Sequence, residues 1–116
     1  MGDVMRKINI VKKNTEFNNI IKVGKKYCND IFYIYMVNNS YPYNRYGISV
    51  SKKVGNAVTR NLYKRRIKDV IDDADIKFKG KDVIIISRPK LKFCDYNYIK
   101  DSIIKIFGMI GEEYEK

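Results

Sequence analysis

The chain has 116 residues, 45% of them hydrophobic, and a formal net charge of +11. This length fits one domain with one modest core, and no apolar run approaches the roughly 18 residues of a membrane span. The absence of histidine excludes the commonest general base, histidine-activated nucleophiles and the usual zinc ligand. Residues 1–7 contain no apolar signal-peptide core, so we expect a cytoplasmic protein without membrane association.

The first predicted helix covers residues 15–23, with Asn14 as its N-cap and Gly24 as its C-terminal stop. An aromatic and β-branched strand follows over residues 31–37, and we include a short extra strand before it. Alternation along residues 31–37 places Tyr33 and Tyr35 on one face and three apolar side chains on the other. These three are Phe32, Ile34 and Met36. Residues 46–51 alternate as the next strand.

A longer helix is predicted over residues 57–74, and it has two different sides. Its core-facing stripe consists of Tyr63, Ile67, Val70 and Ala74. At 100° per residue, an arc of about 140° carries cations and one amide. This arc consists of Arg60, Asn61, Lys64, Arg65 and Lys68. Lys52 and Lys53 precede the helix and extend the same positive surface.

Residues 81–87 are predicted as a strand, because they carry a short apolar run over residues 83–86 that is typical of a strand buried on both faces. Asp95 is predicted to cap a last helix, whose buried stripe consists of Ile99, Ile103, Phe107 and Ile110. Cys28 and Cys94 suit buried reduced thiols better than a disulfide framework. The sequence therefore predicts a single α+β domain over residues 1–116, in the order α-β-β-β-α-β-α.

Positive charge is concentrated around the central helix. Residues 1–68 hold 15 Lys and Arg against 3 Asp and Glu, whereas residues 69–116 hold 9 against 10. Residues 31–68 contain no acidic residue, and three of the six arginines lie within residues 60–66. Such one-sided charge attracts a polyanion, and we favour nucleic acid binding over a merely solvated face.

The stretch GISVSKKVGNAVTRN from Gly47 to Asn61, followed by Lys64 and Arg65, resembles the signature of the bacterial ribonuclease P protein family. The likeness extends over most of the chain. It implies a two-layer α/β sandwich whose mixed sheet contains a left-handed βαβ crossover through the signature helix. Helix periodicity does not predict that hand, because right-handed crossovers are the strong default.

The resemblance also implies a role and partners. The protein would be a subunit of an endoribonuclease that removes the 5′ leader of precursor tRNA. The RNA subunit would be the catalyst and would hold most of the Mg²⁺, so no catalytic or metal-binding residue is expected on the protein. No obligate protein partner is predicted.

Two RNA-binding surfaces are implied by the resemblance. The residues expected to contact the catalytic RNA are Lys52, Lys53, Arg60, Asn61, Lys64, Arg65, Arg66 and Lys68. The residues expected to form a cleft for the single-stranded leader are Phe17, Ile21 and Tyr35. Aromatic side chains stack on unpaired bases, although core packing is the alternative interpretation for each of these three residues.

Four positions depart from the family pattern. Leu62 stands where an arginine is usual and Arg66 where an apolar residue is usual. These two are i, i+4 neighbours, and we hypothesise a compensating exchange in which the Arg66 guanidinium reaches back toward position 62 while Leu62 takes over packing. Lys68 replaces a frequent arginine, and Ile21 stands at a position that is often aromatic.

Two rival functions stay open. One is a structural RNA-binding or ribosomal-type protein of the same architecture. The other is a self-sufficient nuclease that uses carboxylates at the acidic end of the helix, although we expect these to form a solvated face. The carboxylates are those of Asp69, Asp72, Asp73 and Asp75. A membrane-surface role is disfavoured, because the apolar side of the helix is needed for the core.

Overall fold

The computed structural model describes residues 9–115. Within them lie five strands: β1 (Asn9–Ile10), β2 (Lys25–Cys28), β3 (Phe32–Asn38), β4 (Arg45–Ser49) and β5 (Lys81–Ser87). Three α-helices accompany them: α1 (Asn14–Val23), α2 (Ala57–Asp73) and α3 (Tyr96–Glu115). Two short 3-10 helices cover Lys52–Val54 and Pro89–Phe93. The predicted α+β fold, including the extra strand β2, is confirmed, whereas β1 was not predicted.

The strands form one mixed sheet in the order β1-β4-β5-β3-β2. β4 is parallel to both β1 and β5, while β3 is antiparallel to both β5 and β2. The helix α2 therefore connects two neighbouring parallel strands, as the family resemblance implied.

The hand of this crossover follows from one hydrogen bond. The sheet is viewed from the side of α2, with β4 pointing up. The Tyr46 side chain then faces the viewer. Because Tyr46 is an L-amino acid, its carbonyl group points to the right in this view. That carbonyl accepts a hydrogen bond from the Val11 amide at 2.9 Å, so β1 lies on the right and β5 on the left. The β4–α2–β5 connection is therefore left-handed, against the strong default.

The main core lies between the sheet and the helices α2 and α3. Phe32, Ile34 and Met36 are buried there, whereas Tyr33 and Tyr35 on the other face of β3 are only partly buried. The predicted stripe of α3 is confirmed, because its four residues are all buried. They are Ile99, Ile103, Phe107 and Ile110.

The predicted stripe of α2 is right for Tyr63, Ile67 and Val70 and wrong at its end. The helix ends at Asp73, and Ala74 has extended backbone angles (φ −75°, ψ 147°). Ala74 therefore leaves the helical stripe, and Ile71 is buried instead.

The helix α1 ends where it was predicted to end, but its N-cap residue differs from the prediction. Asn14 is the first residue of the helix, and Lys13 occupies the N-cap without a side-chain hydrogen bond, so the prediction of Asn14 as N-cap was wrong. Gly24 ends the helix as predicted, and its amide donates to the Ile20 carbonyl at 2.8 Å. A Cβ at Gly24 would lie 2.5 Å from that carbonyl oxygen, so only glycine fits this close approach.

Both cysteines are free, and Cys94 is buried as predicted while Cys28 is exposed. The prediction of a buried thiol was therefore wrong for Cys28, the last residue of the edge strand β2. None of the helices within residues 9–115 combines the length and the apolar character needed to cross a bilayer.

Candidate nucleic-acid interface

The amino end of α2 is held by one buried side chain and one helix cap. Val54 is 6% exposed and anchors the short helix Lys52–Val54 in the core. The Asn56 side-chain oxygen accepts a hydrogen bond from the Thr59 amide at 2.9 Å, which satisfies one of the unpaired donors of the first turn. Lys52 and Lys53 are consequently presented to solvent directly before α2.

The exposed side of α2 gathers four of the predicted RNA-binding side chains into one surface depression, the basic concavity. Its lining consists of Asn61, Lys64, Arg65 and Lys68. Tyr63 and Ile67 lie on the buried side of the same helix. Three cations and an amide on a rigid helix suit phosphate oxygens and base edges, because guanidinium groups bind in a planar fork and ammonium groups as mobile point charges.

Arg60 lies at the flank of this surface rather than in the basic concavity. Its Nε donates to the Gly55 carbonyl at 3.2 Å, which ties the first turn of α2 to the preceding loop. A guanidinium has five N–H donors, so this bond leaves donor capacity in Arg60 for an anion.

Leu62 and Arg66 are both half-buried. The guanidinium carbon of Arg66 lies 5.6 Å from the centroid of the Tyr63 ring. Arg66 is thus placed against the residue three positions before it, outside the lining of the basic concavity. The hypothesised exchange between Leu62 and Arg66 stays a prediction.

The other face of the sheet carries α1 and the three residues predicted for a leader cleft. Phe17, Ile21 and Tyr35 are partly buried against a small cluster that includes Ile20 and Ile84. We call the surface formed by Phe17, Ile21 and Tyr35 the aromatic cleft. Partial exposure is what a stacking surface requires, because a fully buried ring offers no face to a ligand.

Gly47 shapes this cleft, a role that the sequence did not reveal. A Cβ at Gly47 would lie 2.8 Å from Phe17 Cε2 and 2.6 Å from Ile84 Cδ1. The glycine therefore lets the Phe17 ring settle directly onto the backbone of β4.

Three further residues that we did not predict adjoin the aromatic cleft. Lys26 Nζ lies 4.4 Å and the Arg88 guanidinium carbon 4.8 Å from the centroid of the Tyr33 ring. Lys26 pairs across the strands with Tyr35, and Tyr33 shares the face of Tyr35 by alternation. The cleft thus continues into a tyrosine with two cations close to its ring. Alternation alone could have identified Tyr33, but Lys26 and Arg88 required the strand register.

An ion pair between the partly buried Arg45 and the buried Asp82 stabilises the edge of the same face. Arg45 donates to Asp82 from Nε at 2.9 Å and from a terminal nitrogen at 2.6 Å, and Asn39 donates to Asp82 at 2.8 Å. Burial of Asp82 opposes its ionisation, but the hydrogen bonds from Arg45 and Asn39 outweigh it and lower the pKa of this carboxyl. Glu16 of α1 lies 3.5 Å from Arg45, so the pair also links α1 to the sheet.

The acidic end of α2 does not form a compact carboxylate cluster. Asp75 pairs with Lys77 at 2.7 Å, and Asp69 and Asp73 are exposed. Within residues 9–115 no three His, Cys, Asp or Glu side chains come together in a way that would hold a metal ion.

The chain is similar to known ribonuclease P proteins along most of its length. The family model for ribonuclease P matches residues 5–111. The ribonuclease P protein component of Bacillus cereus (strain 03BB102) is 39% identical over 109 residues, which cover 92% of this chain and 95% of that protein. The protein component of Clostridium botulinum (strain 657) is 39% identical over 108 residues, covering 90% and 96%.

Solved structures of RNase P proteins have the same fold as this chain. The Staphylococcus aureus RNase P protein superposes with a TM-score of 0.82 at 36% identity, covering 90% of this chain and 96% of that chain. The Thermotoga maritima RNase P protein gives a TM-score of 0.77 at 27% identity, covering 85% and 94%.

Proposed function

Since the chain belongs to the ribonuclease P protein family, we propose that it is the protein subunit of a ribonucleoprotein that matures the 5′ end of tRNA. In this proposal it binds the catalytic RNA through α2 and the 5′ leader of precursor tRNA through the aromatic cleft. A cytoplasmic location is part of the same proposal.

The observation that carries the proposal is the basic concavity. Asn61, Lys64, Arg65 and Lys68 share one depression on α2, and the segment from residue 31 to residue 68 contains no acidic residue. Arg60 and Arg66 lie on the same helix, and Lys52 and Lys53 lie in the short 3-10 helix that precedes it. Neutralisation of RNA phosphates by such a surface releases counterions, which drives sequence-independent binding.

Leader binding is supported by the second face of the sheet. Phe17 and Tyr35 offer partly exposed rings on which unpaired bases stack. Ile21 adds apolar contact area without an aromatic ring. Lys26 and Arg88, which lie close to the Tyr33 ring, would bind the phosphates of the same strand.

The protein's part in the reaction is assistance. The basic concavity and the aromatic cleft lie on opposite faces of the sheet, so one chain is able to hold the RNA subunit and the leader simultaneously. This holds the substrate near the RNA active site and lowers the entropy cost of reaction. Mg²⁺ held mainly by the RNA would supply the phosphodiester chemistry.

Reconstitution tests the proposal. A bacterial ribonuclease P RNA at low magnesium should process precursor tRNA faster with this chain than without it. The affinity of the chain for that RNA should fall about 1,000-fold between about 50 and 200 mM salt if about six phosphates are contacted. A flat salt response, or no stimulation of cleavage, would contradict the proposal.

The two rivals make different predictions. A structural RNA-binding protein would not distinguish precursor tRNA from mature tRNA in the presence of the catalytic RNA. A self-sufficient nuclease would cleave precursor tRNA without any RNA subunit. Both comparisons use the same reconstituted components.

A further inference from the structure

The loop between β3 and β4 carries two stacked tyrosines that the proposed interface does not use. The ring centroids of Tyr41 and Tyr43 lie 5.1 Å apart with an interplanar angle of 18°. The two residues are 41% and 40% exposed. We call this pair the tyrosine platform. Part of its aromatic surface is exposed to water, and a further planar ring stacked on the pair would bury that surface.

The loop is fixed by the side chain of Asn39. Its oxygen accepts from the Tyr41 amide at 2.9 Å, and its nitrogen donates to the Tyr43 carbonyl at 3.3 Å and to Asp82 at 2.8 Å. The Asn39 amide donates to the carbonyl of Gly80, which adopts φ +71°. The platform is therefore held in place before any ligand arrives, which reduces the entropy lost on binding.

Arg45 supports the platform from the sheet. Its guanidinium carbon lies 5.0 Å from the centroid of the Tyr41 ring, while two of its nitrogens bind the buried carboxylate of Asp82. The ion pair holds the guanidinium against the ring, so the cation and the aromatic surface have one fixed relative position.

A depression beside the platform has the lining of a nucleotide site. It consists of Asn9, Ile10, Lys12, Tyr41, Tyr43 and Arg45. The lining supplies two rings, two cations and an amide, and it contains no carboxylate, since Asp82 and Glu16 contact Arg45 from outside it. Rings bind a base, cations bind a phosphate, and an amide has both a donor and an acceptor for a base edge.

We propose that this depression binds one unpaired nucleotide of RNA, with its base stacked on the tyrosine platform and its phosphate beside Lys12. The inference rests on the proposed function only for the source of the nucleotide, which is either the leader or the RNA subunit. Arg45 begins β4 and Lys52 follows its end, so the depression and the cation of Lys52 lie at opposite ends of this strand.

Tyr43→Ala tests the site. Tyr43→Phe is a control that keeps the aromatic ring. Met109→Ala is a control that removes an exposed apolar side chain from α3 (54% exposed). Three affinities are measured: for the RNA subunit alone, for precursor against mature tRNA on the holoenzyme, and for a short labelled oligouridylate. Tyr43→Ala should weaken the oligouridylate and one of the other two complexes about 5- to 150-fold, and Tyr43→Phe by less than about twofold. Weaker binding of the RNA subunit alone assigns the nucleotide to that subunit. A smaller preference of the holoenzyme for precursor over mature tRNA assigns it to the leader.

A second readout does not depend on the stability of the variants. Oligouridylate that contains 4-thiouridine should photo-cross-link to the peptide carrying Tyr41 and Tyr43 in the parent chain. Cross-links confined to other peptides, or parent-like affinities of Tyr43→Ala in all three measurements, overturn the inference. Unchanged RNA binding with altered self-association in sedimentation would assign the platform to a protein contact and also overturn it. If the parent fails to stimulate 5′ maturation, the proposed function fails, while the oligouridylate measurements still decide this site.

Discussion

Replacement of Gly47 by alanine tests how the aromatic cleft is built. Gly47 lies on β4 with a negative or extended backbone angle, since Gly80 is the glycine with positive φ among the described residues. An alanine backbone therefore fits, and the perturbation is the added methyl group alone. That methyl would lie 2.8 Å from Phe17 Cε2 and 2.6 Å from Ile84 Cδ1.

Both distances are too short for carbon atoms, which reach their optimum near 3.5–4.0 Å. Ile84 is fully buried between β3 and β4, so it has little room to move, and the partly exposed Phe17 ring must shift by roughly 1 Å. Overpacking of this kind costs about 1–3 kcal/mol, and the lower entropy of the unfolded alanine chain returns about 0.4–1 kcal/mol. We expect Gly47→Ala to lower the free energy of unfolding by about 1–2 kcal/mol.

Urea unfolding followed by far-ultraviolet circular dichroism measures this loss. Gly108→Ala is the matched control, because a Cβ there meets no atom within 4 Å and alanine is favoured over glycine inside a helix by about 0.5–1 kcal/mol. The two substitutions add the same methyl group, and we expect opposite signs.

Gly47→Ala should also separate the two proposed RNA contacts. Displacement of the Phe17 ring should weaken the binding of leader-containing precursor about three- to tenfold. Affinity for the RNA subunit should not change, because the basic concavity lies on the other side of the sheet. Stability equal to the parent, or an equal loss for mature and precursor tRNA, would refute the packing of Phe17 on β4 and its role in the cleft.

The remaining predictions concern three charged side chains. Asp82→Asn should cost about 1–3 kcal/mol of unfolding free energy, because it weakens charge-assisted bonds from Arg45. Since the pKa of Asp82 is lowered in the folded chain, this contribution is present above the unfolded pKa of about 4 and is lost as the pH falls below it, which urea midpoints between about pH 2 and 6 would detect. Lys64→Ala should lower the slope of log affinity against log salt by about one, whereas Lys100→Ala on α3 should not. Arg66→Ala should weaken RNA-subunit binding at low salt about tenfold.

Each of these has a contrary outcome. A pH profile of stability that is the same for the parent and Asp82→Asn would show that the ion pair contributes nothing to folding. Equal salt slopes for Lys64→Ala and Lys100→Ala would remove the basic concavity from the interface. Unchanged affinity of Arg66→Ala would end the hypothesis of an exchange with Leu62.

Features that depend on neighbours along the chain were predictable from the sequence. The strand β5 has the predicted bounds, and the two sides of α2 separate Ile67 from Lys64 and Arg65 as the 3.6-residue period requires. The Asp95 cap of α3 is likewise confirmed by its bond to the Tyr98 amide at 2.9 Å. The hand of the crossover came from the family resemblance, because local patterns carry no information about it.

Features that depend on contacts between distant segments were not predictable. The pair Arg45–Asp82 joins residues 37 positions apart, and the fit of Phe17 against Gly47 requires α1 to lie on β4. Lys26 and Arg88 reach the Tyr33 ring only because β2, β3 and β5 are neighbours in the sheet. The two-residue strand β1 is too short for any alternation to be visible.

The placement of cations along α2 sets two opposite responses to salt. Arg60, Lys64 and Lys68 follow one another at intervals of four residues, and each like-charged neighbour pair disfavours the helix by about 0.2–0.5 kcal/mol. Salt screens this self-repulsion in the free chain, and it should at the same time weaken the proposed binding to RNA. Free protein should therefore tolerate heat better as salt rises, whereas the assembled particle should loosen. In the proposed complex, bound RNA would supply the screening itself, so the chain would gain stability at the same residues that are proposed to bind the RNA.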